Sequence, residues 1–246
     1  MDLFETYAPV IRILPEQVGR DDIMNGRFQL EKADGLNMYY APHNEWVNDK
    51  AHIVIVGITP GWTQTKLAFE AAGAALRAGA SGKIACLEAK RAARFAGAMR
   101  RNLISMLDAL GLAEVFQIDS AEALFHSRED LLHTTSLIKY PVFKQGRNYT
   151  GHSPKIGNSS LLSKYVYEQF PKELAQTKAP MLLIPLGNAV GEVLKELEQN
   201  GKISAPHCLY GFPHPSGANG HRLKQFAAEK ERLAGIIHTY AKAALK

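Results

Sequence analysis

Apolar residues gather in four short runs, and each run ends in a glycine, proline or polar turn. The runs cover 52–57, 131–138, 181–186 and 208–212. They are too short for helices and rich in Val, Ile, Leu and Thr, which predicts strands. Between them the apolar spacing lengthens to that of a helix. Residues 63–79 predict one alanine-rich helix, stopped by Gly79-Ala80-Ser81-Gly82. Residues 83–110 predict another, breaking near Gly97; its Leu103, Met106, Leu107 and Leu110 form an i, i+3, i+4, i+7 stripe that faces a core. Gly111 is its natural stop. Further helices are expected at 121–125, at 159–170 with Pro171 as terminator, at 188–198, and at 221–245, where Leu223, Phe226, Leu233, Ile236, Ile237 and Tyr240 make the apolar face. Residues 140–158 read as one long loop, a length that is often functional. Strands alternating with helices predict an α/β fold, a parallel sheet of four strands with helices on both faces.

Bulk properties narrow this picture only a little. A chain of 246 residues with 46% hydrophobic and 22% charged residues fits one soluble domain spanning 1–246. The net charge of +5 favours a polyanionic partner such as nucleic acid. Two cysteines, Cys86 and Cys208, exclude a disulfide framework and four-cysteine metal or iron–sulfur sites. They are expected as reduced thiols of a cytoplasmic protein. Pro9, Pro15 and early acidic residues argue against a secretory signal, and no run of about 18 apolar residues predicts a membrane span.

Two loops carry the candidate chemistry. Gly57-Ile58-Thr59-Pro60-Gly61-Trp62 follows the first strand, and His214-Pro215-Ser216-Gly217-Ala218-Asn219 follows the last. In an open parallel sheet, ligands sit beyond the carboxyl ends of the strands. The first loop lacks the lysine and glycine pattern of a nucleotide P-loop. Its Gly57 and Gly61 nevertheless let backbone approach a ligand, and the helix start after it offers N–H groups to an anion. In the second loop, a histidine fixed between prolines can donate a hydrogen bond to an oxygen that gains negative charge. Ser216 lacks the Gly-x-Ser-x-Gly elbow of a hydrolase nucleophile. Taken singly, one loop is an ordinary turn and the other holds an ordinary surface histidine; their pairing makes a site.

Together, in this order and strand context, the loops resemble the uracil-DNA glycosylase superfamily. Val56 through Gly61 is similar to its first motif and His214 through Asn219 to its second. Phe95-Ala96-Gly97, Thr135-Ser136-Leu137-Ile138-Lys139 and the 182–189 segment resemble intervening landmarks, so the likeness runs over roughly 35–240. It implies a three-layer α/β/α fold around a four-stranded parallel sheet, with 1–34 as an N-terminal extension and 62–94 as a helical insertion. It implies that His214 stabilises the departing base. Gly57, Ile58, Pro60 and Gly61 would line the base pocket, with Phe95 stacking on the base and Ser136 reading its edge. Thr59 stands where the family often has an acidic residue or an amide that places water. A hydroxyl is a poor general base, so Asp49, Asn48 and Glu45 are the substitutes. Ser216, Gly217, Asn219 and Arg222 would enter the minor groove, with Arg222 as wedge or phosphate contact, and Lys139, Lys144, Arg147, Arg91 and Arg94 would form a basic track.

The expected function is monofunctional DNA glycosylase, acting without metal or cofactor as a monomer on DNA. Serine at 136 and threonine at 59 leave room for a bulkier pyrimidine than uracil, such as a phage-type modified cytosine, so base-excision repair and antiphage defence both stay open. A catalytically inactive DNA-binding module of the same fold is the main rival. A hydrolase of free nucleosides is the third, and would need no basic groove.

Overall fold

A computed structural model of the chain describes residues 3–95, 97–178 and 180–244. In chain order its strands are β1 (Gln29–Ala33), β2 (Leu36–Tyr39), β3 (Ile53–Gly57), β4 (Leu132–Ser136), β5 (Val142–Lys144), β6 (Arg147–Asn148) and β7 (Leu182–Pro185). The helices are α1 (Leu3–Arg12), α2 (Arg20–Ile23), α3 (Trp62–Arg77), α4 (Gly82–Ala93), α5 (Gly97–Asp108), α6 (Leu112–Phe116), α7 (Ser160–Lys164), α8 (Phe170–Leu174), α9 (Asn188–Gln199) and α10 (Arg222–Ala244). The chain divides into two compact units, each assembled from three segments. Unit 1 takes Met1–Val47, Thr59–Arg94 and Ile138–Phe170; unit 2 takes Asn48–Ile58, Phe95–Leu137 and Pro171–Lys246. Among the described residues, no helix is long and apolar enough to cross a membrane.

Unit 2 is α/β, built on a parallel sheet of order β4-β3-β7. The central strand β3 is buried on both faces, which is why it reads as an unbroken Ile-Val-Ile-Val run. Its register sets Gly57 beside Ser136 and Val56 beside Pro185, so the strands end level. Around it, Leu103 and Leu107 of α5, Leu112 of α6, and Leu233, Ile237 and Tyr240 of α10 close one continuous core. Each fully buried Leu or Ile contributes about 1.5–3 kcal/mol relative to exposure.

Unit 1 carries a sheet that the sequence pattern did not predict: an antiparallel one of order β1-β2-β5-β6. Helices α1, α3 and α4 pack together in this unit, with an aromatic cluster of Tyr7, Phe28, Tyr40 and Phe69 among them.

Several expected elements change on the structure. The fourth parallel strand, expected at 208–212, shrinks to a single parallel bridge between Cys208 and Leu183. The N–H of Phe212 bonds the carbonyl of Leu209, and Gly211 has φ of +87°, so the chain turns where extended backbone was expected. The expected 140–158 loop instead contains the β5–β6 hairpin and a single 3-10 turn at Ile156–Asn158. The 121–125 helix is a 3-10 turn. Pro171 does not end the helix beginning near 160. A wide π turn over Tyr165–Gln169 bonds the N–H of Phe170 to Tyr165, and Pro171 then enters at the first turn of α8, where its missing N–H costs little. Ala96 of the Phe-Ala-Gly landmark and Leu245 of the expected terminal helix lie outside the described residues.

Candidate functional site

In unit 2 the carboxyl ends of the parallel strands bring together the turns after β3, β4 and β7 and the histidine loop. The N–H of Leu137 bonds the carbonyl of Gly57 at 2.9 Å, and that of Leu186 bonds Val56 at 2.9 Å. The N–H of Gly187 bonds Phe212 at 3.0 Å, which draws the 212–214 segment over the end of β7. Gly187 has φ of +88°, and a Cβ there would lie 3.1 Å from the Cβ of His214. A larger residue there would strain the positive-φ backbone and require the histidine to give by a few tenths of an ångström. Gly57 is close to Ser136, whose Oγ lies 3.5 Å from where a Cβ would stand. Gly57, Ile58, Ser136 and His214 therefore belong to one end of one sheet.

The His214 loop is braced from within. The N–H of Ser216 donates to His214 Nδ1 at 3.2 Å. That nitrogen is thus the acceptor, and the ring proton resides on Nε2. Among the described residues no group occupies Nε2. Burial holds the imidazole pKa below its ordinary value, so the ring is neutral at pH 7. Asn102 of α5 donates to the carbonyl of Pro215 at 2.8 Å, and Asn219 donates to the carbonyl of His214 at 3.2 Å. Arg222 donates from Nη1 to the carbonyl of Ser216 at 3.0 Å, and the Ser216 hydroxyl oxygen accepts from the N–H of Ala218 at 3.2 Å. Asn219 and Arg222, expected to face DNA, thus spend these groups on the loop, while Gly217 and Ala218 are exposed. The sequence reading missed Asn102 and the role of Gly187. It placed Leu223 on an apolar helix face, whereas the side chain is 74% exposed beside this loop.

Other expected site residues are placed elsewhere. Asn48 and Asp49 precede β3 and so lie at its amino end, opposite the strand ends that carry Gly57. Asn48 donates to the carbonyls of Glu129, Asp130 and Leu132, and Asp49 pairs with Lys178 at 2.7 Å. Neither places water at the strand ends, and both assignments are corrected. Phe95 is 5% exposed and belongs to the core of unit 2, with φ of +33°; its ring packs there and offers no open stacking face.

The first motif is divided after Ile58, and Thr59, Pro60 and Gly61 belong to unit 1. Thr59 donates its hydroxyl to the carbonyl of Tyr140 at 2.8 Å and accepts from the N–H of Val142 at 3.1 Å. The hydroxyl is a clip on the 140–142 backbone, which corrects its expected role with water. At the start of α3, the N–H of Gly61 is taken by Gln64 and that of Trp62 by Asn148, so these two amides are not offered to an anion. Lys139 bonds Glu45 at 2.8 Å, and the Tyr140 hydroxyl donates to the same carboxylate at 2.6 Å. Of the expected basic track, Arg91 pairs with Glu88 and Arg94 is buried, whereas Arg147 is exposed. Among the described residues, no group of three or more His, Cys, Asp or Glu side chains could hold a metal ion.

A protein of Bacillus subtilis (strain 168), described as the uncharacterized protein YoxB, is 46% identical to the chain over 235 residues, covering 96% of the chain and 92% of the relative. The chain belongs to the YoxB family. The YoxB match is long enough to include both units, and hence both the His214 loop and the β5–β6 hairpin. No family model matches the chain, and no solved structure does.

Proposed function

We propose that the chain is a monofunctional DNA glycosylase, hydrolysing the bond between deoxyribose and an unusual base, uracil or a bulkier modified pyrimidine. One observation carries the reading: His214 is a neutral imidazole at the carboxyl ends of parallel strands, with its Nδ1 occupied and its Nε2–H left as a donor. Breaking an N-glycosidic bond leaves an oxocarbenium-like sugar and negative charge on the base. A fixed donor aimed at that charge lowers the barrier without transferring a proton. The start of α9 directly after Gly187 adds its positive end beside the same histidine. The base must first leave the stack, at a cost of about a few kcal/mol that basic groups on phosphates offset. The reading includes the finer fold, a three-layer arrangement of the uracil-DNA glycosylase type in which 207–209 serves as the fourth parallel strand, and a monomer acting on DNA in the cytoplasm.

The test is direct. Purified chain is incubated with oligonucleotides carrying uracil, hypoxanthine, or hydroxymethylated and glucosylated cytosines, and abasic sites are counted. Release from at least one is expected, with His214→Ala lowering the rate about 100- to 1000-fold, the usual cost of one such donor. No abasic sites from any substrate would end the reading.

A second reading, a catalytically inactive DNA-binding module, is favoured by the clipped hydroxyl of Thr59 and by Asn48 and Asp49 lying at the wrong strand end. It expects salt-dependent binding without base release, and only a modest loss of binding in His214→Ala.

A further inference from the structure

Three cations surround one two-residue turn of unit 1. The β5–β6 hairpin reverses at Gln145 and Gly146, whose φ angles of +49° and +74° match the twist of a tight hairpin. Its register sets Lys144 opposite Arg147. Directly opposed residues share one side of a sheet, and like charges there repel. Arg20 comes to the same turn from α2, its Nη1 donating to the carbonyl of Gly146 at 2.7 Å. The Arg20 guanidinium lies 5.0 Å from the Trp62 ring and 5.9 Å from that of Phe143. Trp62 is tied to the same hairpin, its N–H donating to Asn148 Oδ1 at 3.1 Å.

Among the described residues, no carboxylate lies within ion-pair distance of Arg20, Lys144 or Arg147, whereas Lys66, Arg91, Lys164, Lys178 and Lys195 each have one. Lys144 reaches only the hydroxyl of Ser153, at 3.1 Å, and the carboxylate of Asp22 is turned to the N–H of Gly19. A tight turn that holds uncompensated positive charge beside an indole has the two features that a nucleic-acid strand requires, cations for phosphates and an aromatic face for sugar or base.

The geometry points to this turn as a contact for the sugar-phosphate backbone of a DNA strand, with Arg20, Lys144 and Arg147 on phosphates and Trp62 beside a sugar or base. This deepens the function proposed above and rests on its partner, DNA, not on its chemistry. The full chain carrying Trp46→Phe leaves Trp62 as its one tryptophan. Single-stranded and duplex oligonucleotides are titrated by anisotropy from 50 to 200 mM salt, roughly the range over which counterion release is read. Trp62 fluorescence is expected to change on saturation. Arg20→Gln/Lys144→Gln/Arg147→Gln is expected to make the log–log salt slope shallower by about 2 to 3, at about 0.7 to 0.9 for each phosphate no longer neutralised. Should the triple variant melt early, Arg147→Gln alone, at an exposed position, is expected to lower the slope by about 1. An unchanged slope in the folded variants, silent Trp62 fluorescence, or the same fluorescence change with polyglutamate overturns the assignment. A chain that binds through this turn yet releases no base keeps the assignment and loses the glycosylase. Base release with variant binding unaltered does the reverse.

Discussion

His214 depends on a glycine that has no chemistry of its own. Gly187 occupies left-handed backbone, and the Cβ of any other residue would meet the histidine at 3.1 Å. Gly187→Ala is expected to destabilise the chain by about 1–3 kcal/mol through backbone strain, and to displace the imidazole it supports. Thermal melting reads the first effect. A change in the ring ¹⁵N shifts, which report that Nδ1 accepts and Nε2 carries the proton, reads the second. A melt and a tautomer like those of the parent would show that the turn yields freely. At this scale the sequence was only partly legible. The histidine and its flanking prolines stand out along the chain, and so does Thr59. That the threonine hydroxyl is spent on the backbone of 140–142 could not be read from its neighbours, because its partners lie about 80 residues away. Asn102 is hidden for the same reason: it follows two arginines on a helix, and only the fold brings it to Pro215.

Among the elements, the central parallel strands were legible and the antiparallel strands β1 and β6 were not, for one physical reason. A strand buried on both faces must be apolar throughout, and Ile53–Gly57 and Leu182–Pro185 announce themselves. Gln29–Ala33 is half-buried and mixed, and Arg147–Asn148 is two exposed residues held by a turn. Nothing in such short segments rises above loop composition. Asn48 and Asp49 are different, since sequence order alone places them: residues preceding a parallel strand lie at its amino end, away from ligands. What Asn48 does there is structural. Its amide draws the carbonyls of Glu129, Asp130 and Leu132 to the start of the sheet, and its own oxygen caps the N–H of Lys50 at 3.2 Å. Asn48→Ala is expected to cost about 1–3 kcal/mol by leaving those groups without their partner, with the rate of base release at low temperature unchanged. A loss of activity without loss of stability, measured by melting and abasic-site assay together, would return Asn48 to the site.

For the whole molecule, acid is a condition that both units feel. Among the described residues, each has a histidine whose pKa is lowered by burial. In unit 1, His43 is fully enclosed, its two ring nitrogens find no hydrogen-bond partner among the described residues, and Lys90 adds like charge, so its pKa lies well below 6.5. In unit 2, burial alone lowers His214. A group whose folded pKa is depressed in this way takes up its proton more readily in the unfolded chain. Stability is therefore complete above about pH 6.5 and declines as pH falls from there toward the folded value, by at most about 1.4 kcal/mol per pH unit for each histidine. His43→Leu removes both the titration and an enclosed polar ring of similar size. It is expected to raise stability at pH 7 by about 1–3 kcal/mol, since an unsatisfied polar group costs that much to bury, and to flatten the acid slope by one group's share. Melting temperatures from pH 5 to 8 for parent, His43→Leu and His214→Leu, roughly spanning the histidine range, apportion the slope between the units. A His43→Leu chain that melts lower at pH 7 would mean that the ring is held by a bound water or ion, and would move attention from the strand ends of unit 2 to the interior of unit 1.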